Sequence, residues 1–251
     1  MLGAPDMMGF EEPIRAVIIG ARGGVGEAFV NAIRGHDPAN EVWATSTSGD
    51  GVTAAAKRAL AVDITDEASI VRLVEAMDAA DYVPNLVLNC TGVLHTDDFG
   101  PERSWRHLDI DVMRRVFDVN ALGVGLLGKH LIPRFARDQR GVFASLSARV
   151  GSIGDNRLGG WYSYRASKAA QNMIVKTLSI EASMKWKDLI CVALHPGTVE
   201  TALSEPFTAR VPPHKLFTPE VSCGHLSSVI AGLTSADTGG FFAWDAKPII
   251  Y

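Results

Sequence analysis

Tyr164 and Lys168 stand four residues apart in a segment of helical period, which places both side chains on one face of a helix. A phenol ordinarily titrates near pH 10. A neighbouring ammonium favours the phenolate, so the pair could give and take a proton at a reacting oxygen. Such a spacing is common on ordinary helices and gains weight only from company. That company is an ordered series: Gly20-Ala21-Arg22-Gly23-Gly24-Val25-Gly26, then Asn89-Cys90-Thr91-Gly92, then Asn120, then Ser145 and Ser147, and last Tyr164-Arg165-Ala166-Ser167-Lys168.

The glycine segment directly follows an apolar run of strand length and opens a helical one, the context in which it can hold a dinucleotide. Gly20 permits a tight turn, Gly24 lets the backbone approach a diphosphate, and Gly26 allows helix and sheet to pack closely. Around Val25 the start of the helix offers unpaired N–H groups and a partial positive charge. After the next strand, where an acid would select the 2′-hydroxyl of NAD, Thr45-Ser46-Thr47-Ser48 offers hydroxyls instead. Arg22 could reach a 2′-phosphate, so NADP(H) is expected in preference to NAD(H).

To bring these groups together the chain must alternate strands and helices. Short apolar runs predict strands at 16–19, 42–45, 60–64, 86–89, 142–146, 189–194 and 241–244. Helical periodicity predicts helices over 27–34, 67–79, 112–137, 164–184 and 219–232, with Asp66 capping the second and Pro133 bending or ending the third. The expected fold is α/β, a single doubly wound parallel sheet with helices on both faces, the Rossmann fold. Residues 1–13 read as an extension and 14–251 as one domain. The proline-bearing stretch 204–218 reads as a substrate lid, with Phe207, Leu216 and Phe217 either closing over the substrate or anchoring the loop.

A formal charge of −4 with no basic cluster argues against nucleic acid as a partner. The absence of long apolar runs argues against a membrane span. Met1–Pro13 carries Asp6, Glu11 and Glu12 and does not resemble a signal peptide, so a cytoplasmic protein with reduced Cys90, Cys191 and Cys223 is expected. The seven histidines lack ligand spacing, and no metal site is expected. His195, before Pro196, reads chiefly as a packed histidine. Trp161 and Tyr162 could wall a substrate pocket or simply fill the core.

From 14 to 251 the sequence resembles the short-chain dehydrogenase/reductase family, most closely its C-factor and sniffer-like carbonyl reductase group. Its 149–156 segment, Arg-Val-Gly-Ser-Ile-Gly-Asp-Asn, and its 159–164 segment, Gly-Gly-Trp-Tyr-Ser-Tyr, carry the closer likeness. The resemblance implies that Tyr164 is the acid/base, that Lys168 binds the nicotinamide ribose and tunes the tyrosine, and that Asn120 holds a relay water. It implies adenine contacts from Asp63 and Ile64, and cofactor contacts from Asn89, Gly92, Pro196, Gly197, Val199 and Thr201. Ile19 stands where the family usually has threonine. Ala148 stands where it has the serine that polarises the substrate, which leaves Ser147 as the candidate, provided the strand end bends, and Ser152 as the fallback. The implied activity is hydride transfer between nicotinamide and a small carbonyl or alcohol, in a homo-oligomer. The alternative is a cofactor-binding signalling or regulatory protein with little turnover.

Overall fold

The computed structural model describes residues 7–251. Seven strands form one parallel sheet: β1 (Arg15–Ile19), β2 (Glu41–Ser46), β3 (Arg58–Ala61), β4 (Leu86–Asn89), β5 (Gly141–Leu146), β6 (Leu189–His195) and β9 (Phe241–Ala243). Their order is β3-β2-β1-β4-β5-β6-β9. The direction of winding reverses between β1 and β4, and in open α/β sheets that crevice, at the carboxyl ends of the strands, is where ligands bind. The remaining two strands, β7 (Thr198–Val199) and β8 (Leu216–Phe217), pair with each other outside the main sheet.

The helices are α1 (Gly24–His36), α2 (Glu67–Asp78), α3 (Ile110–Phe117), α4 (Gly123–Leu131), α5 (Tyr162–Ala182) and α6 (Pro219–Gly232). Alternate residues of the central strands feed two cores. Ala16, Ile18, Leu88, Ala144 and Val192 pack with α1 and α6 on one face. Val17, Ile19, Val87, Phe143 and Cys191 pack with α2 and α4 on the other. Strands covered on both sides must be apolar throughout, which is why β1, β4 and β5 are visible as uninterrupted apolar runs. Met8, Phe10 and Ile14 are buried in the first core, so the described part of the 1–13 stretch is packed against the domain; residues 1–6 lie outside the described residues. No helix among the described residues is long and apolar enough to cross a membrane.

Three expected elements differ. β3 begins at Arg58 and ends at Ala61, and it is largely exposed at the sheet edge, so it is not the doubly covered strand expected at 60–64. The single long helix expected over 112–137 is broken into four pieces: α3, a π-helical turn at Asp118–Leu122, α4, and a 3-10 turn at Ile132–Arg134 containing Pro133. The 204–218 stretch is structured, with 3-10 turns at Glu205–Arg210 and Pro213–Lys215 leading into β8.

Candidate active site

The loop from β1 into α1 takes the form expected of its glycines. Gly20 and Gly24 have φ of +79° and +55°, in the left-handed region that other residues avoid. A Cβ on Gly26 would lie 2.4 Å from the Gly20 carbonyl oxygen, so only glycine lets α1 start this close to the strand. α1 begins at Gly24, earlier than expected, and its N-cap Gly23 supplies no side-chain cap. The first N–H groups are thus left for a ligand.

Two cavities meet beside this loop. One, of about 530 Å³, is lined by Gly20, Arg22, Asp63 and Ile64, with Ser46 and Thr47 of the β2 end. The other, of about 550 Å³, is lined by Gly24, Val25, Tyr164 and Lys168, with Pro196 and Gly197. Gly23, Cys90, Thr91 and Gly92 line both, which joins them into one cleft across the carboxyl ends of β1 and β4. Val199 and Thr201 lie on the wall of the second cavity. A dinucleotide fits this arrangement: a glycine turn under the middle, a carboxylate and an arginine at one end, a phenol and an amine at the other.

Two residues expected at the cofactor stand behind the cleft wall. Asn89 is fully buried; its Nδ2 donates to Ser145 Oγ at 2.9 Å, and its Oδ1 accepts from the Thr91 amide and hydroxyl at 3.1 and 2.7 Å. It shapes the 90–92 turn. Thr45 is also fully buried, and its hydroxyl has no partner among the described residues. Because β2 continues to Ser46, the residues of this segment that line the cleft are Ser46, whose hydroxyl donates to the Asp50 carbonyl at 2.8 Å, and Thr47.

Tyr164 and Lys168 share the first turns of α5. The Lys168 Nζ lies 5.9 Å from the centre of the Tyr164 ring. Nζ donates to the Leu146 carbonyl at 2.9 Å and to Gln171 Oε1 at 2.7 Å, and Gln171 in turn donates to Ser145 Oγ at 2.9 Å. Burial pushes Lys168 down to about 7 and pushes Tyr164 well above its ordinary value. The expectation that the ammonium would draw the phenol down is therefore corrected: removing both groups from water disfavours both charged forms, and this outweighs their mutual attraction.

Asn120 lies in the π-helical turn, and both ends of its amide are engaged. Oδ1 accepts from Val93 N at 2.8 Å, while Nδ2 donates to Val93 O at 2.8 Å and to Ser167 Oγ at 3.1 Å. A Cβ on Gly92 would lie 3.5 Å from both Asn120 Oδ1 and Lys168 Nζ. Asn120 thus ties the turn after β4 to α5 and brings Gly92 against the lysine.

The serines behave differently from expectation. The Ser147 hydroxyl donates to Asn172 Oδ1 at 2.7 Å, directed into α5. Ser152 is buried, accepts from the Asp155 amide at 3.0 Å, and does not line the cavity. Ser147 and Ala148 both line it. β5 keeps its register with β6 to Leu146, one residue before Ser147.

Several participants lie outside the expected set. Glu102 is buried and accepts from the Ser163 amide and hydroxyl, while its carbonyl accepts from Trp161 N at 2.6 Å. It caps the helix that carries Tyr164. Nothing in an irregular segment marks such an acid in advance, whereas Gln171, three residues beyond Lys168, could have been found by helical spacing. Trp161 adopts φ 52°, lines the cavity, and meets Tyr164 and Phe207 edge to face at 6.2 and 5.0 Å. Phe207 also lines the cavity, with Ser204 and Val211, whereas Phe217 packs on His225 and Trp244, so the 204–218 stretch contributes both wall residues and an anchor. His195 lines the cavity as well.

A family model described as short chain dehydrogenase matches residues 15–211. The 1-hydroxy-2-glutathionyl-2-methyl-3-butene dehydrogenase of Rhodococcus sp. (strain AD45) is 30% identical over 227 residues, which cover 90% of this chain and 94% of that protein. The C-signal of Myxococcus xanthus is 33% identical over 165 residues, covering 64% of this chain and 94% of that one. The crystal structure of the NADPH-bound carbonyl reductase from chicken fatty liver superposes with a TM-score of 0.82 at 25% identity, covering 97% of this chain and 96% of the other.

Proposed function

The chain belongs to the short-chain dehydrogenase family and is an NAD(P)-dependent oxidoreductase; from that premise we propose that it reduces carbonyl compounds with NADPH, with Tyr164 as the proton donor. The observation that carries this reading is that Tyr164 and Lys168 line a cavity continuous with the cleft above the glycine turn. When bound, NADPH supplies the hydride. The start of α1 receives the diphosphate, Asp63 and Ile64 flank the adenine, and Arg22 meets the 2′-phosphate. The turn from Pro196 to Thr201 holds the nicotinamide end beside Lys168. Tyr164 presents a neutral phenol to the substrate oxygen and releases its proton there as the carbonyl carbon is reduced.

Leu94, Val150, Trp161, Phe207 and Val211 make the wall around the phenol apolar, which suits an aromatic or alicyclic aldehyde or ketone. The likeness to an NADPH-bound carbonyl reductase supports the same class. The test is oxidation of NADPH in the presence of benzaldehyde, acetophenone or cyclohexanone. Tyr164→Phe should lower kcat/KM by about 10²- to 10⁴-fold, the range for losing a general acid, and leave NADPH affinity unchanged. Turnover indifferent to that substitution removes Tyr164 from the role.

A second reading, cofactor binding with little turnover in a signalling or regulatory role, is favoured by Ala148 and by the likeness to C-signal. NADPH binding by fluorescence titration, with no oxidation of it by any of the three carbonyls, would select that reading.

A further inference from the structure

With alanine at 148 and Ser152 outside the cavity, the one serine of the β5 end on the cavity wall is Ser147, and its hydroxyl is given to Asn172 Oδ1. The same cavity wall contains another polar group. β5 and β6 run in parallel register, with Leu146 beside Leu194, and Ser147 N donates to Leu194 O at 2.7 Å. The ladder therefore brings His195, the last residue of β6, alongside the end of β5, in the cavity that Tyr164 lines.

The His195 Nδ1 is sealed from solvent and has no hydrogen-bond partner among the described residues. A sealed N–H without an acceptor is rarer and less favourable than a sealed lone pair without a donor. The proton therefore belongs on Nε2. Burial first, and then the nearby Arg149 cation, hold the ring down at about 4, with Asp245 acting the other way. The imidazole is neutral at working pH, so it offers a hydrogen bond without a net charge.

We propose that His195, through Nε2–H, donates the second hydrogen bond to the substrate oxygen beside Tyr164, the contact that a serine at 148 would otherwise make. This rests on reading the site as that of a carbonyl reductase. His195 keeps its proton throughout. The carbonyl carbon takes the hydride from NADPH, which leaves as NADP⁺, and the oxygen takes the proton of Tyr164, giving the alcohol.

The experiment compares wild type, Tyr164→Phe, His195→Phe and His195→Phe/Ala148→Ser. It measures NADPH-dependent reduction of benzaldehyde, acetophenone and cyclohexanone, NADPH binding by fluorescence, and the imidazole ¹⁵N spectrum of the unliganded protein. Losing one such donor lowers the rate by about 10²- to 10³-fold. His195→Phe should show that loss with NADPH affinity intact, and the added serine should restore it by at least about tenfold. The spectrum at pH 7 should show His195 as the neutral Nε2–H tautomer. A charged ring or the Nδ1–H tautomer overturns the assignment, and so does a loss that the added serine leaves in place, since that marks mere packing. Activity that dies with Tyr164→Phe but ignores His195→Phe overturns the assignment alone. Wild type that turns over none of the three carbonyls removes the reductase reading and the assignment together.

Discussion

Burial keeps the Tyr164 phenol protonated through the neutral range, because the fold strips the phenolate of most of its hydration. The direction of catalysis follows. In carbonyl reduction the phenol is already in the form that gives up a proton, so its own titration adds no slope to kcat/KM for reduction in the neutral range. In alcohol oxidation the phenolate is the form that accepts one, and its share rises about tenfold per pH unit while the group remains below its own titration point. Oxidation with NADP⁺ should accordingly climb through the alkaline range. Steady-state rates in both directions across that range check the sign, and an oxidation limb that is flat or falling would mean that the proton acceptor is not this phenol.

The loop from β1 to α1 and the end of β2 act as a unit at the far end of the cleft. A Cβ on Gly51 would lie 3.2 Å from Arg22 Cγ, so the arginine stem rests against the turn that follows β2, and its guanidinium shares a cavity wall with Ser46 and Thr47. A charge-assisted bond from a guanidinium to a phosphate contributes about 1.5–3 kcal/mol. Arg22→Ala should therefore weaken NADPH by about 10- to 100-fold and leave NADH nearly unaffected; equal losses for both would assign Arg22 to loop structure. This unit was legible in the sequence because glycines in a turn and apolar runs in a doubly covered sheet are imposed by local sterics and burial. The interior of 112–137 was not, since the π-helical turn carries Asn120, whose partners on the Val93 backbone lie 27 residues away. Nor was the fate of Ser147, whose hydroxyl was assigned by a partner on another element, Asn172 of α5. Tyr164 and Lys168 could be located from spacing, but the direction of their titration depended on how completely the fold buries them.

At the scale of the whole molecule, the site draws on the stability of the fold. Lys168 is inserted between β5 and α5 with its amine on the Leu146 carbonyl and Gln171, and burial lowers it to about 7. In the unfolded chain a lysine returns to about 10.4. Between those two values the unfolded state binds a proton that the native state lacks, so the free energy of unfolding rises with pH across that window, by up to about 1.4 kcal/mol per unit. Below about 7 the amine is charged in both states and contributes no slope. Lys168→Met retains much of the side-chain length and removes the titration. The difference in stability between wild type and Lys168→Met should therefore move in favour of wild type from pH 7 to 9, measured by urea unfolding of both proteins in matched buffers. Every other titrating group is common to the two and cancels. Parallel curves would mean that the amine stays charged in the native cleft, and a charged amine at that depth would have to be matched by an anion that the residues around it do not supply.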